Sequence, residues 1–514
     1  MKEQFAMAWL VTKRELLDQM RDWRILVPMI ILTAFFPYLM TVAAQTAIDY
    51  INQYGADLIA ERLLPFLILV VGFFPVTVSL VVALEAFVGE KERGTIEPLL
   101  TSPMADWQLY VGKLMAGTIV PLVVSYVGIG LYMFGLWRQG IKWPEAGFTI
   151  QTLALTAVQT VLMVSAAIVI STQSTTVRSA NLLASFIVIP VGLLIQGESA
   201  LMFWGTNDIL WLAVFGVMVM STLIVRLGLV HFKRENLLGR EIDMLNMNWA
   251  MQTFWKEFSG AAPTPALADY LALGLRRLRN QTSVENENSF LRAFKLDVQA
   301  LFAWYRVEIP KSLRKMSTAI WITLVIGVAG LVAAYLHVDA RIVAGNLDPE
   351  TLEQTKSAVT NALLEDGGSF SPGFFFWHNF QAELLITALG LFSFGVLGLV
   401  AYIGNLSLIG GLLATSSMAG VSPFIVFLTG ILPHGIFELP SLILVSSAIL
   451  YTGVQLVTPK DGRTIGEALI TSVADLSKIL LGVCVPLLIV AAFVESWITP
   501  HIFIYFLGNA LSIK

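Results

Sequence analysis

Runs of about 20 predominantly apolar residues, the length a helix needs to cross a bilayer, recur along most of this chain. They fall near 25–44, 63–87, 114–136, 150–170, 180–195 and 209–229. From His231 to about Met316 the pattern turns polar, with Arg276, Arg277 and Arg279 close together and a proline-containing stretch at 261–266. Apolar runs resume near 317–336, 383–403, 423–439, 441–457 and 479–498. The pattern predicts an all-α fold, a polytopic helical membrane protein with about eleven spans. The two runs flanking Pro440 read either as one broken helix or as a re-entrant hairpin. Three regions follow: a membrane domain at 1–240, a polar linker at 241–315 with some amphipathic helix, and a second membrane domain at 316–514. No repeat relates the two membrane regions, so the second is not a copy of the first.

Basic residues set the expected orientation. Lys13, Arg14, Arg21 and Arg24 precede the first run, Lys91, Arg93 and Lys113 lie between the second and third, and Arg178 lies between the fourth and fifth. Lys233, Arg234 and Arg240 follow the sixth. The alternate loops carry mostly Asp49, Asp57, Glu61, Glu198 and Asp208, with Arg138 and Lys142 dissenting. The positive-inside rule puts the N-terminus and the linker in the cytoplasm. It puts the acidic loop from His337 to Trp377 outside. An odd number of spans then leaves the C-terminus outside.

Composition agrees with the pattern. Of 514 residues, 56% are hydrophobic and 13% charged, about half the charge of a soluble domain. Mean hydropathy is +0.75. The lipid bilayer is the natural solvent for that surface. A net charge of −4 argues against nucleic acid as a partner, because a phosphate binder needs a basic face. The single cysteine, Cys484, cannot form an internal disulfide and reads as a packing residue. The charged stretch ahead of the first apolar run, with no small-residue cleavage site, does not read as a cleavable signal. No cofactor is expected.

The most informative polar segment follows the second run directly: Gly89, Glu90, Lys91, Glu92, Arg93, Gly94, Thr95, Ile96, Glu97, Pro98, Leu99, Leu100, Thr101, Ser102, Pro103. Interleaved charges lead to a glycine, then to a short amphipathic helix that Pro103 ends. On that helix Ile96, Leu99 and Leu100 share one face. The segment reads either as a docking helix that a partner pushes or as a solvated loop. The chain has no G-x-x-x-x-G-K-S/T loop, since Gly112 and Lys113 lack the preceding glycine and strand. Phosphate-cradling chemistry is therefore expected on another polypeptide, and this chain is not expected to be an enzyme.

The run Glu-Lys-Glu-Arg-Gly-Thr-Ile-Glu-Pro-Leu-Leu-Thr-Ser-Pro at 90–103, followed by Gly112 and Lys113, resembles the signature of type-2 ABC-transporter permeases. The helix bearing Lys13, Arg14, Glu15 and Leu16, with Asp22, Trp23 and Arg24 ahead of the first run, is similar to that family's elbow helix. Phe232 to Leu238 is similar to its usual ending after six spans. The resemblance covers about 1–240. It implies a coupling helix at 90–103 that docks on a separate ATP-binding subunit, and a transport pathway between two six-span units. Since this chain supplies one such unit, a homodimer is expected. The resemblance also implies a multi-pass protein of a prokaryotic plasma membrane, acting in export.

In the second membrane region the run Leu432 to Pro440 contains His434 and Glu438, four apart and so on one helical face. Asn405 ends one apolar run and Glu495 interrupts the last. Ionisable groups at membrane depth usually face a bundle interior or a water path. Pro433, Gly435 and Pro440 are expected to break the helix, which places a polar cavity at that depth with His434, Glu438 and Glu495 meeting in it and Asn405 nearby. A structural clasp between helices and a conducting or proton-coupled path are both open readings. A metal or protease site ranks last, because H-x-x-x-E lacks the second histidine of a zincin helix; no metal is expected. Pro-His-Gly-Ile-Phe-Glu-Leu-Pro, with Tyr402, Asn405 and Gly410 upstream and 491–495 downstream, resembles the stage II sporulation protein M family over about 300–500. That resemblance implies a membrane-embedded module implicated in envelope remodelling. The acidic insert at 339–368 departs from it. The whole reads as a fused permease and second module. A non-transporting membrane scaffold is the alternative.

Overall fold

The computed structural model describes residues 2–54, 57–95, 101–174, 176–204, 209–232, 247–260, 287–343, 371–417, 421–458 and 464–511, with backbone only at some helical positions, 287–300 among them. All regular structure among them is helical. Eight of these helices are long and apolar enough to cross a membrane. The chain divides into two compact units, Met1–Leu245 and Asn246–Lys514.

The first unit comprises α1 (Lys2–Gln19), α2 (Trp23–Tyr54), α3 (Asp57–Glu92), α4 (Asp106–Arg138), α5 (Ala146–Gln173), α6 (Val177–Trp204) and α7 (Ile209–His231). α3 is its centre and packs against α2, α4, α5 and α6. A helix apolar on all sides is expected in such a place. Its Leu84 and Phe87 interlock with Leu109 and Leu114 of α4 and with Val164 and Ile168 of α5. Val123 and Phe134 on α4 and Phe35 on α2 remain exposed, as suits surfaces that meet hydrocarbon.

α1 lies along α4. The approach is closest at Gly112, where a Cβ would meet Val11 Cβ at 2.7 Å and the Ala8 carbonyl oxygen at 2.8 Å. Only a residue without a side chain lets these two backbones come so near. Thr12 Oγ1 seals the contact by donating to the Gly112 carbonyl at 3.1 Å.

The second unit comprises α8 (Met247–Ser259), α9 (Glu287–Lys315), α10 (Ser317–Val343), α11 (Pro372–Phe392), α12 (Val396–Ser416), α13 (Pro423–Val457), α14 and α15 (Thr499–Leu511). α14 consists of Ile465–Ile479, Leu480–Cys484 and Val485–Trp497 in unbroken succession. Two helices from the polar stretch between the membrane regions, α8 and α9, pack against the start of α14. Trp304 Nε1 donates to the Phe258 carbonyl at 2.7 Å. Lys315 Nζ donates to Glu257 at 2.7 Å and to Asp475 at 2.8 Å. Lys478, fully buried, reaches Glu308 at 3.1 Å and Asp475 at 3.2 Å. Burial by itself would lower the Lys315 pKa, but the hydrogen bonds and charges of Asp475 and Glu257 outweigh it and raise it above the ordinary lysine range. The segments 261–286 and 344–370, which include Arg276, Arg277, Arg279 and most of the expected acidic insert, lie outside the described residues, as do 233–238.

Two expectations about this unit need correction. The apolar run at 383–403 is not one span but the end of α11 and the start of α12, joined by Ser393, Phe394 and Gly395. Phe394 and Gly395 take left-handed backbone, φ 53° and 93°. The Ser393 hydroxyl donates to the Leu389 carbonyl at 2.6 Å and accepts from the Leu397 amide at 2.8 Å, ending one helix and capping the next. Because every residue around this turn is apolar or small, a hydropathy window passes over it.

The second correction concerns Pro433, Gly435 and Pro440. None of them breaks the chain, and α13 runs through as one helix. The irregularity is a widened π-helical turn at Val426–Ile431, just before Pro433. α14 repeats the device, with a π-helical turn at Leu480–Cys484 just before Pro486. In each case the residue four before the proline, Thr429 or Gly482, lies in the widened turn. Its carbonyl is the one the proline ring would crowd and leave without a donor. Widening the turn relieves the clash without ending the helix.

Candidate functional site

The predicted docking segment leaves α3 through a glycine-terminated helix end. The Thr95 amide donates to the Glu90 carbonyl at 3.0 Å and the Gly94 amide to the Lys91 carbonyl at 3.1 Å. Gly94 has φ +67°. This is the helix ending that favours glycine, because the position is left-handed. Ile96, Glu97, Leu99 and Leu100, the core of the expected amphipathic helix, lie outside the described residues. Pro103 is exposed.

The three charged residues before the turn each hold a different helix. Glu90 is buried and lies 3.2 Å from Lys113 Nζ on α4; Arg14 of α1 stands 3.9 Å from it. Lys91 Nζ donates to the Thr172 and Ser174 carbonyls at 3.0 Å each, at the C-terminal end of α5. Burial lowers the Lys91 pKa below the ordinary lysine range. Glu92 accepts from the Val177 amide at 2.7 Å, the first residue of α6. A cation at one helix's carbonyl end and an anion at the next helix's amide end complement both dipoles. Arg93 folds back on Gly89, donating to its carbonyl at 3.0 Å.

Lys113 is the hub of this arrangement. Its ammonium lies 3.0 Å from Glu15 of α1, donates to the Ala86 carbonyl at 2.8 Å, and sits 5.1 Å from the Phe87 ring centroid. In the sequence Lys113 counts as a basic residue between the second and third runs and as part of a signature, without its partners. Its role depends on Glu15 and Glu90, 98 and 23 positions away, and no local pattern reports that. A second buried pair corrects an expectation: Glu198, read from the sequence as a loop residue, lies within α6, where it accepts from Gln159 of α5, and both are almost wholly inaccessible.

In the second unit His434 and Glu438 of α13 and Glu495 of α14 come together. One ligand-type atom from each lies within 4.8 Å of the others. His434 Nε2 stands 4.0 Å from Glu438, and its Nδ1 is 3.2 Å from the Thr499 hydroxyl of α15. Asn405 donates back to the Ala401 carbonyl of its own helix at 3.1 Å and makes no hydrogen bond with the three.

A further carboxyl, Glu383 of α11, was missed. It is 1% exposed and accepts from the Ser441 hydroxyl. Cys484, buried beside it, donates to the Ser441 carbonyl at 3.5 Å. Glu383 opens an apolar run in the sequence, and its partner lies 58 residues on.

Comparison with known families divides the chain as its units divide. Residues 9–207 match the family described as ABC-2 family transporter protein. Residues 318–500 match the family described as Stage II sporulation protein M. No curated protein matches the chain. One polypeptide thus carries a region similar to the ABC-2 family transporter protein followed by a region similar to stage II sporulation protein M.

Proposed function

We propose that the chain is the membrane-spanning permease of an ABC-type export system, driven by a separate ATP-binding subunit that docks on 90–103. The ABC-2 family match supports a permease of an ABC system. The observation that carries the finer reading is the way Glu90, Lys91 and Glu92 tie the docking segment to four other helices. Through Lys113 and Arg14 it engages α4 and α1, through Lys91 the end of α5, and through Glu92 the start of α6. A push on such a segment moves the spans with it, as a nucleotide-driven step requires. The basic residues flanking α1 to α3 support an orientation with this end of the unit, and the N-terminus, in the cytoplasm, and the family resemblance supports a prokaryotic plasma membrane.

Ile96→Asp tests the docking site. It is expected to abolish copurification of the ATP-binding subunit and the stimulation of its ATPase, while the permease still reaches the membrane. Intact copurification and stimulation would overturn the assignment. A pathway between two such units makes the working form a homodimer. Native mass measurement in nanodiscs should give twice the chain mass, and a strictly monomeric, transport-competent particle would exclude it.

A second reading, a non-transporting scaffold for envelope remodelling with the first unit as a mechanical transducer, is favoured by the stage II sporulation protein M match. Vectorial solute movement in reconstituted vesicles separates the two. Its presence supports the exporter and its absence, with ATP turnover intact, the scaffold.

A further inference from the structure

We propose that His434, Glu438 and Glu495 bind one divalent transition-metal ion, zinc by preference, in the second unit. The sequence ranked a metal site last because the H-x-x-x-E helix lacks a second histidine. The fold supplies a third donor from elsewhere, Glu495, whose carboxylate joins the imidazole and Glu438 with all three ligand atoms within 4.8 Å of one another. Zinc bonds to imidazole nitrogen and carboxylate oxygen are about 2.0–2.2 Å long. Ligand atoms about 3–3.5 Å apart suit a tetrahedral ion at those lengths, so modest carboxylate rotation closes the site.

Three further features point to a cation. First, the imidazole is oriented as a metal ligand would be. Thr499 holds Nδ1 at 3.2 Å and leaves Nε2 facing Glu438, and metal-bound histidines ordinarily have their other nitrogen fixed in this way. Second, the three donors sit on helices: His434 and Glu438 four apart on α13, and Glu495 on α14. Third, the negative charge has no protein counterion. Among the described residues no lysine or arginine pairs with Glu438, Glu495 or Glu383. One oxygen of Glu495 and one of the almost fully buried Glu383 have no hydrogen-bond partner. Carboxyl groups at membrane depth are balanced by a partner charge or stay protonated, and a bound cation supplies the first. A divalent ion neutralises the two ligating carboxylates outright. The mixed nitrogen and oxygen set favours zinc, or a neighbouring first-row ion, over calcium or magnesium, which take oxygen ligands. Three protein ligands leave a fourth position open for water or substrate.

The test uses the tag-free full-length protein in nanodiscs. Elemental analysis and competition with a zinc chromophore are expected to find about one high-affinity zinc per chain, removable by a strong chelator. His434→Ala and Glu438→Gln should each weaken binding more than about 100-fold, and Thr499→Val, which touches only the orienting bond, by about 10- to 100-fold. His378→Ala, on α11, should bind as the parent does. Zinc-edge absorption spectroscopy of the unsubstituted protein guards against variants that fail to fold. It should show nitrogen and oxygen ligands including imidazole, and no sulfur. Absence of zinc binding tighter than about 100 µM in the parent protein overturns the site. So does unchanged affinity in a well-folded His434→Ala or Glu438→Gln variant, or a spectrum without imidazole.

Discussion

Lys113 and Glu90 form a 3.2 Å ion pair between α4 and the last turn of α3, with side chains 1% and 9% exposed. Removing one partner of a buried pair strands the other charge, which typically costs about 3–5 kcal/mol. Lys113→Met is therefore expected to lower the unfolding midpoint in detergent well below that of the parent. It should also uncouple ATP turnover from the permease, because α1 and α3 lose their common anchor. The double substitution Lys113→Met, Glu90→Gln should recover part of the stability, since the more buried of the two carboxylates facing Lys113 is neutralised while Glu15 stays unpaired, but not the coupling. A thermal melt of the three proteins checks the first part and stimulated ATPase activity the second.

Gly112 sets how closely α1 approaches α4. A valine there would place its Cβ inside contact distance of Val11 and of the Ala8 carbonyl, so α1 must move outward. Overpacking of this kind costs about 1–3 kcal/mol. The displacement should break the hydrogen bond from Thr12 to the Gly112 carbonyl and lengthen that between Lys113 and Glu15. Gly112→Val is expected to expose α1 to limited proteolysis while leaving the remaining helices of the unit intact. Unaltered protease resistance of the N-terminal 20 residues, about one helix length, would contradict the packing described.

The attachment of α8 to α14 depends on Lys315 staying charged. Its pKa is raised in the folded state, so the stabilisation it brings is fully present below the unfolded value, about 10.4, and is lost as pH rises through the higher folded value. Stability should be flat in this respect from neutral pH to about pH 10 and fall above it. Lys315→Met should flatten that alkaline limb, and should lower stability at neutral pH by leaving Glu257 and part of Asp475 without a partner. Unfolding midpoints of the parent and variant between pH 7 and about pH 11 check both expectations.

How far the molecule could be read from its sequence depended on the range of the signal. Hydropathy reports about 20 residues at a time, so the helical class and most helix positions were visible. His434 and Glu438 were legible as a pair because four residues make one helical turn, and Glu495 because it interrupts an apolar run. The turn at Ser393–Gly395 was invisible, since its residues are as apolar or small as the helices it joins. Pro440 misled because a proline ordinarily marks a helix boundary, whereas α13 continues through it; the widened turn in that helix precedes Pro433, not Pro440. Glu383 was missed, and Lys113 and Glu198 were named without their partners, because each is defined by a partner 20 or more residues away, which no local spacing reveals.

Glu198 gives the sharpest contrast between charge and hydrogen bonding. Its carboxyl accepts from the Gln159 amide deep between α5 and α6, and one oxygen on each side chain, Gln159 Oε1 and Glu198 Oε1, has no hydrogen-bond donor. An amide in place of the carboxyl has the same shape and brings an N–H that can donate to Gln159 Oε1 while its own oxygen keeps accepting from Gln159. Glu198→Gln thus completes a reciprocal pair and satisfies both side chains. Glu198→Leu fills the space but leaves the Gln159 amide buried with nothing to bond, a loss of about 1–3 kcal/mol. The expected order of stability is Glu198→Gln at or above the parent, with Glu198→Leu clearly below. Adding Gln159→Leu to Glu198→Leu should restore much of the loss, because replacing both polar partners removes the stranded group. Melting midpoints of the four proteins in one detergent decide it. A Glu198→Gln variant as unstable as Glu198→Leu would mean that the carboxylate charge, and not the hydrogen bond, is what this pair requires.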